Sequence, residues 1–240
     1  MRSLLLALSL LLALPATGFA FQEDVIVVTG SRISRDSVGG NQNIPHVHIV
    51  RRADNYLIQL TILSDTREQD ARREEVRSTL ETVLAAADRN PDITIALAGD
   101  NLLDLDPDMI GQVDIVEHPR REDVSTVTLF IKTPVRADDG FDDTDNRIAS
   151  FVEGLETTGR TELQVSPSYN LTLSGGADQY RNSVVEAIAQ DIRFLRSTFG
   201  NEYRIFVETS FENRVSLTQT GPLELSIFLP YSAEIELRDN

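Results

Sequence analysis

Ala177, Tyr180, Val184, Ile188, Ile192, Leu195 and Phe199 recur at three- and four-residue spacing. That spacing lines them along one face of a helix about six turns long. A stripe of this length needs a broad apolar surface to lie on. Gly200 follows the last member, where a residue free to adopt positive φ ends a helix. The period then changes to two: segments 203–210, 214–219, 223–229 and 232–237 alternate and read as strands. A long amphipathic helix feeding a strand-rich C-terminus predicts an α+β protein, with helices packed on a mixed or antiparallel sheet.

The upstream chain repeats the theme. Residues 24–30 (DVIVVTG) are β-branched and end in Gly, a strand pattern, and polar 34–43 reads as a loop. Residues 44–50 alternate around His46 and His48, and 56–63 (YLIQLTIL) is a third strand pattern. A helix is expected over 66–89, capped by Asp65 or Thr66, with Val76, Leu80, Val83, Leu84 and Ala87 on its apolar face. Asn90-Pro91 stops it, and 92–98 alternates as a strand. After a loop-rich, acidic 99–123 with one short strand at 113–117 comes a strong strand at 124–132. A helix follows over 145–157, with Ile148, Phe151, Val152 and Leu155 inward and Gly159 at its end, and then strands at 162–165 and 169–173. Segments 55–98 and 124–173 share one strand–helix–strand order, the pattern of an internal duplication, without matching residue identities.

The N-terminus carries the three parts of a secretory signal: Arg2, the apolar run Leu4 to Leu14, and small Gly18 and Ala20 before the expected cleavage. The apolar run is shorter than the roughly 20 residues a membrane helix needs. The expected layout is a signal peptide over 1–20 and one α+β domain over 21–240, located in the periplasm or secreted, with no membrane span once the signal is removed.

The chain has 240 residues and a formal charge of −16; Arg2 is the one charged side chain in the signal, so the remainder is near −17. That charge excludes a nucleic-acid backbone as partner, since such binding needs clustered positive charge. Cysteine is absent, which removes disulfides, thiolate nucleophiles and cysteine metal sites.

Five residues are candidate metal ligands. His46 and His48, two apart, would share a face of a strand, with His118 or a carboxylate completing a set. Asp104, Asp106 and Asp108 alternate as oxygen donors for Ca²⁺. The EF-hand pattern fails there, because Met109 stands at the turn glycine and the closing Glu is missing. Asp138, Asp139, Asp142, Asp143 and Asp145 form a second acidic cluster, where acids at a helix start favour the positive end of the dipole. No Gly-x-Ser-x-Gly elbow occurs, and Gly175-Gly176 lacks the rest of a phosphate loop. No catalytic residue and no cofactor is expected.

Four segments carry a family resemblance. Val25-Ile26-Val27-Val28-Thr29-Gly30, the strand Leu57 to Asp65 leading into an acidic, Arg-rich helix, the long helix Ala177 to Gly200, and the tail from Gly221-Pro222-Leu223-Glu224 to Glu236-Leu237 resemble the SIMPL-domain family of exported bacterial proteins. The resemblance spans roughly residues 24–237. It departs from the family in a long insert at 31–54, an alanine-poor long helix, and a region 99–123 without counterpart. It implies a non-enzymatic α+β envelope protein linked to envelope stress, acting through self-association or a protein partner. Residues 23–32 (EDVIVVTGSR) also resemble the TonB box of TonB-dependent receptors, an extended peptide that adds to a partner's sheet edge. On that reading Val25, Ile26, Val27, Val28, Thr29 and Gly30 bind the partner. The further alternative is a metal-dependent hydrolase.

Overall fold

A computed structural model describes residues 44–97 and 102–238. The expected signal at 1–20, the strand at 24–30 and the TonB-box-like segment 23–32 lie outside them.

The largest sheet is built from β2 to β7. Strand β1 is Ile49–Arg52, β2 Asn55–Ser64, β3 Thr94–Leu97, β4 Leu103–Asp104, β5 Val116–Glu117, β6 Ser125–Pro134 and β7 Thr161–Thr172. Its order is β4-β3-β6-β2-β7, with β5 also on β6, and every pairing is antiparallel. Helix α1 (Gln69–Asp88) links β2 to β3, and α2 (Phe141–Glu153) links β6 to β7. The two strand–helix–strand units therefore interleave in one sheet, a split βαβ arrangement. The long two-residue alternation of β2 and β6 sends Ile58, Leu60, Ile62, Val127, Leu129 and Ile131 into one core. That core also takes Val76, Leu80, Val83 and Leu84 of α1 and Ile148 and Phe151 of α2. The class is α+β, as the sequence patterns imply.

A second layer begins with β1, which pairs with β10 (Glu224–Phe228), itself paired with β9 (Ser216–Gln219). Ala53 donates its N–H to Leu223 O and Asp54 to Thr172 O, so the chain crosses from one sheet to the other within two residues. Helix α3 (Arg181–Phe199) precedes β8 (Tyr203–Thr209), which pairs along its whole length with β11 (Tyr231–Leu237) as a two-stranded ribbon.

Several local expectations are corrected. The segment around His46 and His48 is a bend, and β1 starts only at Ile49. Segment 161–172 is one strand, in which Ser166, Pro167 and Ser168 bulge opposite Gln59; Pro cannot donate to a ladder, so an edge strand with a bulge accommodates it. Helix α2 starts a turn early, because Asp143 Oδ2 accepts the Gly140 N–H at 2.7 Å. It ends at Gly154, while Gly159 sits at φ 61° in the turn before β7.

Neither Asp65 nor Thr66 caps α1, whose start at Glu68 has no side-chain cap. Thr66 Oγ1 instead donates to Glu75 Oε2 at 2.8 Å, and Asp65 pairs with Arg160 at 2.8 Å. Glu75 Oε2 also accepts from Ser64 Oγ (2.6 Å) and the Arg160 N–H (3.2 Å), joining β2, α1 and the entry to β7. Arg72, 3% exposed, donates to the carbonyls of Thr66 and Arg67 and to Ser125 Oγ, and lies 3.5 Å from Glu117.

The acidic loop before α2 is likewise used internally. Arg147 Nη2 donates to both Asp139 carboxylate oxygens at 2.9 Å, and its Nη1 reaches Pro134 O. Burial pushes the Asp139 carboxyl upward, but the Arg136 N–H and the Arg147 guanidinium outweigh it and hold the group below its ordinary range. Arg147→Lys keeps the charge and loses the second nitrogen that reaches Pro134 O and Thr133 Oγ1, so it should lower the unfolding free energy by about 1 kcal/mol; urea unfolding measures this, and an unchanged midpoint would contradict the assigned role.

Candidate interaction site

Helix α3 does not bury its apolar stripe evenly. Val184 and Ala187 are 0% exposed and Ile188 1%, whereas Ile192 and Leu195 are half-buried and Phe199 is 36% exposed. The first half of the helix lies on the main core, which Ile192 still meets, and the helix also lies against β8 of the β8–β11 ribbon. Val207 and Ala233, at the near end of that ribbon, still pack against the core. Tyr203, Ile205, Ile235 and Leu237 are at its far end, in register as Tyr203 with Leu237 and Ile205 with Ile235. Phe199 meets Tyr203 edge-on, with ring centroids 5.4 Å apart.

Three of the exposed phenylalanines among the described residues are here: Phe194 (64%) and Phe199 (36%) on α3 and Phe206 (49%) on β8, with Leu237 67% exposed on β11, whereas Phe211 (48%) follows β8 and its carbonyl accepts from Arg181 at the start of α3. Single exposed apolar residues are ordinary, but clustered aromatic exposure marks contact surfaces. On the outer face of the ribbon Phe206 stands opposite Glu234, Glu208 opposite Ser232, and Arg204 opposite Glu236. The apolar centre of that face therefore has a mainly acidic rim.

At the root of this module three polar side chains converge. Asp191, 6% exposed on the buried side of α3, accepts from Tyr231 Oη at 2.9 Å. His46 Nε2 lies 3.0 Å from the same oxygen, and the His46 and Tyr231 rings are 5.4 Å apart. A buried carboxylate is tolerated when its lone pairs are used, and here they fasten the chain before β1, helix α3 and the start of β11 together. Burial raises the Tyr231 phenol, and the hydrogen bond to Asp191 raises it further. Tyr231→Phe leaves Asp191 with one fewer donor and should cost about 1–2 kcal/mol of stability; a thermal scan with an unshifted midpoint would count against the clasp. Sequence reasoning passed over Asp191, although an acid three residues after Ile188 on an apolar stripe is a visible signal.

The metal candidates do not converge. His46 turns to Asp191, His48 Nδ1 lies 2.9 Å from Pro45 O, and Asp104 pairs with Lys132 at 2.5 Å. Asp106 and Asp108 open a 3₁₀ turn over Pro107–Gln112. Among the described residues no group of three or more His, Asp or Glu side chains could hold a metal ion. A small hollow between the end of α1 and β3, lined by Leu84, Ala87, Ile95 and Leu105, carries Asp88 and Asp106 and no histidine. Among the described residues no helix is long and apolar enough to cross a membrane.

Comparison with protein-family models, with curated proteins and with solved structures finds no match for this chain.

Proposed function

We propose that this chain is an exported, SIMPL-like envelope protein that acts by binding protein, either its own copies or a partner, rather than by catalysis. The single observation that carries the reading is the exposure of Phe194 and Phe199 on the second half of α3 and of Phe206 and Leu237 on the ribbon. Aromatic anchors inside a charged rim are the composition of interface centres. Because Glu208, Glu234 and Glu236 surround Phe206, the complementary surface is apolar at its centre and basic at its edge, and binding weakens as salt rises. The N-terminal signal pattern supports export, and the absence of cysteine fits a fold held by packing alone.

The test is sedimentation of the exported protein, alone and with envelope extract, beside Phe206→Ser. The expected result is self-association or capture of one partner, weakened at least about tenfold in the variant, on the scale of a lost hot-spot contact. A strictly monomeric protein that captures no partner, and whose deletion leaves envelope-stress survival unchanged, would sink the reading.

A further inference from the structure

We propose that this chain stacks head to tail on its own copies, with the basic, aromatic outer side of α3 in one copy docked on the acidic, Phe206-centred outer face of the β8–β11 ribbon in the next. Such an assembly rests on the protein-binding reading above and takes a second copy as the occupant.

The helix and the ribbon lie back to back. Alternation along β8 and the register of β11 put Tyr203, Ile205, Val207, Tyr231 and Ala233 on one face of the ribbon. Helix α3 lies along that face, because Asp191 accepts from Tyr231 Oη at one end and the Phe199 ring meets Tyr203 at the other. Phe206, Glu208, Glu234 and Glu236 are exposed on the alternate face and so point away from the helix. On α3, at about 100° per residue, Arg193 projects away from the side that carries Asp191 and Phe199. Phe194 and Arg196 stand on its flanks, and all three are exposed.

The two outer faces carry opposite charge. Arg193 and Arg196 are the exposed charged side chains of the last two turns of α3, on a chain whose net charge is −16. The ribbon face sets Glu208, Glu234 and Glu236 against the single Arg204. Among the described residues neither Arg193 nor Arg196 takes an ion pair, and nor does any of these three glutamates. Phe194 and Phe206, 64% and 49% exposed, give each face an apolar centre. Complementary charge around apolar centres favours helix on ribbon. Ribbon on ribbon would set Glu against Glu, and helix on helix Arg against Arg. Because the two faces point in opposite directions, one two-fold contact cannot use both. Each added copy leaves one free face of each kind at the ends, so the assembly grows as a chain or closes as a ring.

The test is sedimentation of the exported protein over a range of concentrations, with a thermal midpoint to show that each variant is folded. Wild type should form species larger than a dimer. Arg193→Glu with Arg196→Glu, and separately Glu234→Arg with Glu236→Arg, should each associate at least about tenfold more weakly when alone. An equimolar mixture of the two should recover the association. Phe194→Ser mixed with Phe206→Ser should stop at a one-to-one pair, since only one intact helix face then meets one intact ribbon face; this second pair serves if a charge reversal unfolds the chain. A wild-type dimer that grows no further, a mixture as weak as its components, or folded variants that associate like wild type each overturn the proposal. A monomeric wild type that binds a different protein through Phe206 also overturns it and leaves the protein-binding reading standing, whereas a monomer that binds nothing removes both.

Discussion

Ile188→Ala should lower the unfolding free energy by about 3–4 kcal/mol, whereas Leu195→Ala, seven residues on along the same stripe, should cost about 1 kcal/mol. Both substitutions remove apolar groups from positions that the sequence pattern makes equivalent. Ile188 is 1% exposed within the main core, so its truncation loses transfer free energy and leaves a cavity that rigid neighbours cannot fill; buried Ile or Leu to Ala runs about 2–5 kcal/mol. Leu195 is half-buried, so water can occupy the space its side chain leaves. Urea unfolding with unchanged slope gives the two values. Equal losses would mean that α3 is buried over its whole length, and the case for an interaction surface on its second half would fall with that.

The second large effect is expected at the Glu75 knot. Glu75→Ala removes the acceptor for the Ser64 and Thr66 hydroxyls and the Arg160 N–H. Ser64 is 0% exposed, so its hydroxyl would be left without water, and the loss should be about 2–3 kcal/mol. Gly159→Ala attacks the same knot from the other side. Its φ is 61°, and an added Cβ would clash with the Glu75 carboxylate, so the carboxylate must move while the backbone takes on strain of about 1 kcal/mol or more. The effect depends on pH with a definite sign. Burial alone raises the Glu75 carboxyl, but its donors outweigh burial and hold it below the ordinary value of 4.5. A depressed pKa in the folded state means that the carboxylate contributes stability fully above the ordinary value, and loses it as pH falls through the lower, folded one. The difference between wild type and Glu75→Gln should therefore be constant from pH 7 to about 5 and shrink below about 4.5. A gap that widens on acidification would reverse the assignment.

Much of this was legible in local pattern. The strands β2 and β6 follow from two-residue alternation and α1 and α2 from three-to-four-residue spacing, because burial on one face is a property of period, whereas the interleaved strand order, with β6 between β3 and β2, is set by tertiary pairing. Gly200, at φ 65°, ends α3 where the pattern ends. The failures arose where a side chain had a distant competitor. Thr66 reads as a cap, yet Glu75 takes its hydroxyl. His46 and His48 read as a pair on one strand, yet Asp191, far along the chain, takes His46. The alternating acids 104, 106 and 108 read as oxygen ligands, yet Lys132 takes the first of them.

By itself, then, the sequence determined the α+β class, the apolar faces, most strand positions and the signal pattern at the N-terminus, since each depends on residues within a few positions of one another. Tertiary structure alone decided where the α3 stripe leaves the core, which face of the ribbon turns away from α3, and which acid meets which base. Those outcomes are set by competition among groups separated by tens to more than a hundred residues, and only folded proximity brings such competitors together.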